Sequence, residues 1–350
     1  MCAMCDNSTY LQTIYSNISC PEATEWEVSV LNLLSFLLEG VAQFIISCLG
    51  IIGNLVSMFV LTRKALKNFF NQLLVVLSVY DFIYCFTMML ESLTKFGFAS
   101  SFYTLFFPHF LYPLGSISMT GSIYMTIVVG IERYIAVHEP TRRVPSQLTM
   151  VAKGSCNHTK RLLKYVVPTT IFCLLFNLPK FLESKLVSEK KEVYIEVTEL
   201  RIATWYVTWY LNWANFIMLG AIPFTLISIL NYKIHRVVKT QRRLLNRIRQ
   251  EDSLSGVLMM IIVIFLVCHT LRLVLNMHEI YVVEEITFCR CSDLGGFPIW
   301  FIILGFISPV LLALNSSINL LIYCVFGTKF REVLCCQHQL KATHCNSDLS

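Results

Sequence analysis

Seven apolar stretches, each long enough to cross a lipid bilayer, punctuate this chain of 350 residues. They run Val41–Leu61, Gln72–Thr94, Leu105–Ile131, Tyr165–Leu182, Trp205–Leu230, Gly256–His278 and Pro298–Phe326. A helix rises about 1.5 Å per residue, so about 20 apolar residues are needed to span a hydrocarbon core. Lipid offers backbone N–H and C=O groups no partners, so each stretch must satisfy its own as a helix. A composition 55% hydrophobic and 14% charged fits no ordinary soluble domain. The expected fold is all-α: a seven-transmembrane helix bundle with a short amphipathic helix on the membrane surface after the last span. Residues 1–38 read as an extracellular leader, 39–326 as the membrane domain, and 327–350 as the amphipathic helix and cytoplasmic tail.

The loops fix the orientation. No Lys or Arg precedes Arg63, whereas the leader holds Asp6, Glu22, Glu25 and Glu27. Arg63, Lys64 and Lys67 occupy the first connecting loop, and Arg142, Arg143, Lys153, Lys160, Arg161 and Lys164 the third. The fifth is richest, with Lys233, Arg236, Lys239, Arg242, Arg243, Arg247 and Arg249. Glu183–Arg201 mixes both signs, and the loop after Glu279 is net acidic. Basic loops stay cytoplasmic during insertion, so the N-terminus faces out and the C-terminus faces in. The net charge of +6 therefore implies no nucleic-acid partner and suits an anionic inner leaflet of membrane lipid. Residues 1–38 lack a basic segment followed by an apolar run, so the first span is expected to insert as its own signal. Asn7-Ser8-Thr9 and Asn17-Ile18-Ser19 are glycosylation acceptors on the outer side; Asn157-His158-Thr159 falls on the inner side and should stay bare. Beyond the last span, Phe326, Phe330, Val333 and Leu334 form one apolar face, with Lys329 and Arg331 between them. Cys335 and Cys336 follow, where a palmitoyl chain can reach the bilayer.

Polar groups inside lipid are expensive, so each calls for a partner or a task. Asn54, Asp81, Ser122, Asn315, Ser316 and Asn319 lie at one height, roughly 10–16 Å above the cytoplasmic ends of four helices. These hard oxygen ligands around one carboxylate suit a small alkali cation; a purely structural hydrogen-bond network is the alternative. Glu91 sits ten residues above Asp81, about 15 Å nearer the outside. Arg272 stands in the outer half of the sixth span and Glu279 caps it. Glu91 and Arg272 either neutralise one another as a structural pair or line an outward cavity for a charged ligand. Glu132-Arg133-Tyr134 closes the third span at the inner face, where the carboxylate can hold the guanidinium until a partner competes for it.

These residues carry a resemblance. Gly53-Asn54-Leu55-Val56, Leu77-Ser78-Val79-Tyr80-Asp81, Glu132-Arg133-Tyr134, Pro223, Phe265-Leu266-Val267-Cys268 and Asn319-Leu320-Leu321-Ile322-Tyr323 occur in order on six helices. Together, over residues 40–335, the chain resembles the rhodopsin-like G protein-coupled receptors. Asn177-Leu178-Pro179-Lys180-Phe181, Cys268-His269-Thr270-Leu271-Arg272 and Asn315-Ser316-Ser317-Ile318-Asn319 are similar to invertebrate FMRFamide-type neuropeptide receptors. An amine receptor would carry an aspartate where Gly115 stands, and an opsin a lysine within Pro298–Phe326, which has none.

The resemblance implies a receptor, not an enzyme, at the plasma membrane, with an extracellular peptide ligand and a heterotrimeric G protein as partners. It implies no resident cofactor beyond an allosteric sodium ion at Asp81, Ser122, Asn315, Ser316 and Asn319. Ile123, Pro223 and Phe265 resemble the family's packing switch, and Glu132, Arg133, Tyr134, Asn319 and Tyr323 the coupling residues. Glu91, Tyr112, Met119, His269, Arg272, Glu279 and Trp300 are the expected ligand contacts.

The departures are as informative. The family disulfide joins the outer end of the third helix to the second outer loop, yet Pro108 stands at the first position and Glu183–Trp205 contains no cysteine. Cys2, Cys5, Cys20, Cys289 and Cys291 face an oxidising exterior instead, and the expected bridge joins Cys20 to Cys289 or Cys291. His269 replaces a tryptophan, while Leu271 and Leu320 replace two prolines, so straighter sixth and seventh helices are expected. Three alternatives stay open: a constitutively active receptor or one with a non-peptide ligand, an ion-coupled transporter, and a membrane enzyme. No HExxH or GxSxG motif supports the last.

Overall fold

The structure, a computed structural model, describes residues 24–66, 68–97, 101–138, 154–189, 192–203, 205–244, 249–291 and 298–335. Among them, seven helices are long and apolar enough to cross a membrane. We label them α1 (Glu25–Leu61), α2 (Phe69–Lys95), α3 (Thr104–His138), α4 (Gly154–Phe176), α5 (Tyr206–Val237), α6 (Arg249–Cys291) and α7 (Ile299–Ser317). The seventh crossing continues as α8 (Asn319–Phe326), and a last helix, α9, covers 328–335. Polarity is inverted relative to a soluble domain. On α1, Ile45, Leu49, Ile52 and Phe59 point outward, while Gln43, Ser47, Asn54 and Ser57 are buried. Such a continuous apolar exterior is stable only in lipid, and the chain is a multi-pass membrane protein. Its centre is α3, the most buried of the seven spans, packed against α2, α4, α5 and α6.

Local chemistry sets the helix ends. Thr24 and Glu27 cap α1 reciprocally: Thr24 N donates to Glu27 Oε2 (2.7 Å), and Glu27 N donates to Thr24 Oγ1 (3.4 Å). The helix thus starts at Glu25, well before the apolar run begins, and residues 25–38 of the leader are helical. Asn68 caps α2 by accepting from Asn71 N (2.7 Å), while Asn71 Nδ2 donates back to Leu66 O (2.7 Å), tying the start of α2 to the residues before it. The outer halves of α1, α3 and α5 contain wider turns with i→i+5 bonding, at Phe36–Ala42, Phe107–Leu111, Tyr206–Ala214 and Phe216–Ala221. Such turns reposition the following side chains relative to a regular helix. In α5 the Met218 carbonyl accepts from Tyr124 Oη (2.9 Å), tying this widened turn to α3.

The missing prolines have different consequences on the two helices. No break interrupts α6 from Arg249 to Cys291. The seventh crossing, by contrast, breaks at Ile318 (φ −80°, ψ −11°) without a proline at 320. There the Ser316 carbonyl accepts from Asn54 Nδ2 (2.9 Å), and Ser317 Oγ donates to Ala313 O (2.6 Å) and Ile46 O (3.0 Å). The Asn54 bond occupies the Ser316 carbonyl, which a regular helix would offer to the N–H four residues on. The α1–α7 contact depends on Gly50, where an added Cβ would meet Ser317 Oγ and Cys85 Sγ. Gly50→Ala is therefore expected to destabilise the bundle by about 1–3 kcal/mol, read as a lower unfolding midpoint in detergent. An unchanged midpoint would mean that this contact is slack.

Above the bundle, β1 (Ser184–Glu189) and β2 (Glu192–Val197) pair antiparallel, with Ser184 opposite Val197 and Leu186 opposite Ile195. The hairpin packs against the outer end of α3. A single helical turn, Glu199–Ile202, leads from it into α5.

Candidate functional site: an outer cavity above a polar core

Two connected lobes open between the outer halves of the helices. One, about 140 Å³, is lined by Asn177, Lys180, Asn215, His269 and Asn276, with Ile123 on its wall. The other, about 220 Å³, is lined by Tyr84, Thr87, Glu91, Phe107 and Pro309. Tyr112, Ser116, Met119, Arg272 and Leu312 belong to both and mark the junction. Two charges in this space lack an ion-pair partner among the described residues. Lys95, one turn beyond Glu91, is committed to Glu39 at 2.8 Å, which leaves the Glu91 carboxylate facing the lobe. Arg272 makes no ion pair among the described residues either, so Glu91 and Arg272 are not joined as a structural pair. A carboxylate and a guanidinium that share one cavity without joining are placed for complementary groups on a ligand.

The wall beneath the hairpin is held by Glu183, which is 1% exposed. Lys180 Nζ lies 3.0 Å and Arg201 Nε 3.2 Å from its oxygens, and Tyr112 and Tyr206 donate to it at 3.0 and 2.7 Å. Lys180 also donates to Tyr112 Oη at 3.0 Å. A ladder of rings then continues between α4 and α5: Tyr206 stacks on Tyr210 (5.0 Å), which meets Phe176 (5.7 Å), and Phe172 meets Tyr124 (4.6 Å).

The floor of the cavity touches the core directly. His269 is buried and stacks on Phe265, with ring centroids 4.1 Å apart. Phe265 and Ile123 are each 2% exposed and share the central apolar cluster with Ile227, one turn beyond the buried Pro223. Deeper lies the polar core. Asp81, with no exposed surface, accepts from Ser122 Oγ (2.6 Å) and Asn319 Nδ2 (2.7 Å), and Ser316 reaches the same carboxyl. Asn54 and Ser316 are joined through the Ser316 carbonyl, whereas Asn315 is half-buried beside them. Asn54 Oδ1 and Ser78 Oγ are buried without a hydrogen-bond partner among the described residues. One carboxylate among neutral oxygens, some of them uncommitted, fits a monovalent cation. Among the described residues no three His, Cys, Asp or Glu side chains gather as a transition-metal site requires.

At the end of the bundle opposite the hairpin, both oxygens of Glu132 accept from Arg161 Nη2, at 2.9 and 2.8 Å. The partner from α4 was not anticipated from sequence. Arg133 lies under the surface with its guanidinium 5.5 Å from the Phe70 ring centroid. Tyr134 stacks on His138 (5.4 Å), and Tyr323 is buried against Phe330 of α9 (5.6 Å).

The structure thus gathers Glu91, Tyr112, Met119, His269 and Arg272 around one cavity. Glu279 and Trp300 line neither lobe; Trp300 is 46% exposed and packs edge-on to His278 (4.6 Å). Lys180, Glu183, Arg201 and Tyr206 escaped the sequence reading, although the Lys180–Glu183 spacing of three residues on a helix end was an available signal. Asn7, Asn17, Cys20 and Cys336 lie outside the described residues, as do the side chains of Cys289 and Cys291. Cys335 is an exposed free thiol at the end of α9.

Comparison with known proteins accords with this geometry. Residues 53–323 match the family described as 7 transmembrane receptor (rhodopsin family). The sequence is 30% identical to a FMRFamide receptor of Drosophila melanogaster, over 86% of this chain and 54% of that protein. It is 25% identical to a probable G-protein coupled receptor, frpr-1, of Caenorhabditis elegans (83% and 76%). To the FMRFamide peptide receptor frpr-18 of the same organism it is 24% identical (84% and 67%). The chain spans about half the length of the Drosophila receptor.

Proposed function

The chain belongs to the rhodopsin family of seven-transmembrane receptors, and from that premise we propose that it receives an extracellular amidated neuropeptide of the FMRFamide type and signals to a heterotrimeric G protein. The observation that carries the reading is the pair of unjoined charges, Glu91 and Arg272, in one outer cavity. A peptide arginine would give Glu91 a charge-assisted, bidentate bond, and Arg272 would donate to a ligand carbonyl. The Tyr112 ring, bordering both lobes, offers an aromatic face for the peptide's phenyl ring. The relatives' names include two FMRFamide receptors, which supports the same ligand class.

A ligand shifts the receptor only by the difference in its affinity for the two conformations. Contact with His269 and Ile123 reaches Phe265, Pro223 and the Asp81 core, and a rearrangement there opens the inner face around Arg133, Tyr134, Asn319 and Tyr323. Asp81, Ser122, Ser316 and Asn319, with Asn315 adjoining, would hold a sodium ion that favours the inactive arrangement. Asp81→Asn is then expected to abolish sodium sensitivity: replacing sodium by a bulky organic cation should raise agonist affinity in the parent and leave the variant flat. Equal responses would make the core purely structural.

The plasma membrane is the proposed location, N-terminus outside, with glycans on Asn7 and Asn17 and acyl chains on Cys335 and Cys336 holding α9 to the inner leaflet. The decisive experiment is a library of amidated peptides applied to cells expressing the chain, with second-messenger readout. Peptides ending in Arg-Phe-amide should stand out; a response confined to non-peptide compounds would refute the ligand class.

A further inference from the structure

Neither α3 nor residues 183–205 contain a cysteine, so no disulfide ties this loop to α3. Where the two meet stands a carboxylate both of whose oxygens are engaged. Tyr206 Oη (2.7 Å) and Lys180 Nζ (3.0 Å) meet Glu183 Oε1, while Tyr112 Oη (3.0 Å) and Arg201 Nε (3.2 Å) meet Oε2. These partners come from four separate segments: the turn after α4, the outer part of α3, the first residue of α5 and the helical turn after the hairpin. The backbone is tied at the same point. Thr198 N donates to Glu183 O (3.0 Å) and Thr198 Oγ1 to Leu182 O (2.6 Å), closing the base of the hairpin.

We propose that Glu183 is an electrostatic staple that fixes the hairpin to the cavity wall carrying Tyr112 and Lys180, where no covalent bridge does so. A buried carboxylate is tolerated only when it is both paired and fully hydrogen-bonded, and Glu183 meets both conditions. The contrast within the hairpin is direct: Lys185 and Glu196 also pair, at 3.1 Å, but are 54% and 48% exposed, where such pairs contribute little. Glu183 is a positioning residue for recognition as well. It orients Tyr112 and pairs with Lys180, both of which line the cavity, whereas Arg272 has no ion-pair partner among the described residues.

The test uses the purified full chain and no ligand, so its outcome is independent of the peptide reading. Backbone amide exchange across residues 184–197 reports whether the hairpin is held. Glu183→Gln is expected to speed it by roughly tenfold or more, and Glu196→Gln by less than about twofold. The double variant Lys180→Gln with Glu183→Gln separates a staple from the mere cost of a buried charge. Removing both charges should restore thermal stability while leaving the hairpin amides exposed; recovery of both would overturn the proposal. Should Glu183→Gln not fold, Tyr206→Phe removes one bond to the same carboxylate and is expected to speed exchange by about threefold to tenfold. Unchanged protection in a folded Glu183→Gln or Tyr206→Phe protein, or an equal effect from Glu196→Gln, would also overturn it.

Discussion

Arg133→Ala is expected to reduce agonist-stimulated nucleotide exchange to near its basal level, a fall on the order of 100-fold, the upper end of coupling between two sites. Ligand affinity and surface abundance should stay close to the parent's. Arg133 lies in the last two turns of the central helix, 8% exposed and set against the Phe70 ring. Its neighbour Glu132 accepts from Arg161 of α4 at both oxygens, a tie that does not run through the Arg133 side chain. Surface labelling, ligand binding and nucleotide exchange on one set of cells decide the matter. Retained exchange would refute the role, and lost surface expression would show a structural one.

Glu91→Gln is expected to weaken an arginine-containing amidated peptide by about 10- to 100-fold, because hydrogen bonds to charged groups contribute about 1.5–3 kcal/mol. The substitution keeps shape and removes charge. A citrulline analogue of the same peptide, isosteric but neutral, should lose far less. Lys95 is already bound to Glu39, so the glutamine leaves no structural cation stranded. Equal loss for both peptides would remove Glu91 from direct recognition.

Seven spans, their order and the depth of the polar core were legible in the sequence because lipid enforces long helices and makes each buried polar group conspicuous. Asp81, Ser122, Ser316 and Asn319 converge as spacing along their helices predicted. The start of α1 is not legible in hydropathy because a capping box acts through two polar residues, Thr24 and Glu27, outside the apolar run. The interruption at Ile318 is not legible in the sequence because it accompanies the Asn54 bond to the Ser316 carbonyl, a tertiary contact with no proline to announce it. Glu183 was read as one acid in a mixed-sign loop; burial by Tyr112 and Tyr206, distant in sequence, changes its meaning. Glu279 and Trp300 were placed by height alone, which does not say which way a side chain faces.

The proposed transmission of charge recognition from the outer cavity to the inner face is tested by placing the purified chain in lipid nanodiscs with a purified heterotrimeric G protein and following nucleotide exchange as an amidated arginine-containing peptide is added. The expected result is saturable acceleration that shifts to higher peptide concentration in Glu91→Gln and disappears in Arg133→Ala. A folded preparation that binds such peptides yet never accelerates exchange, or that conducts ions in response instead, would contradict it.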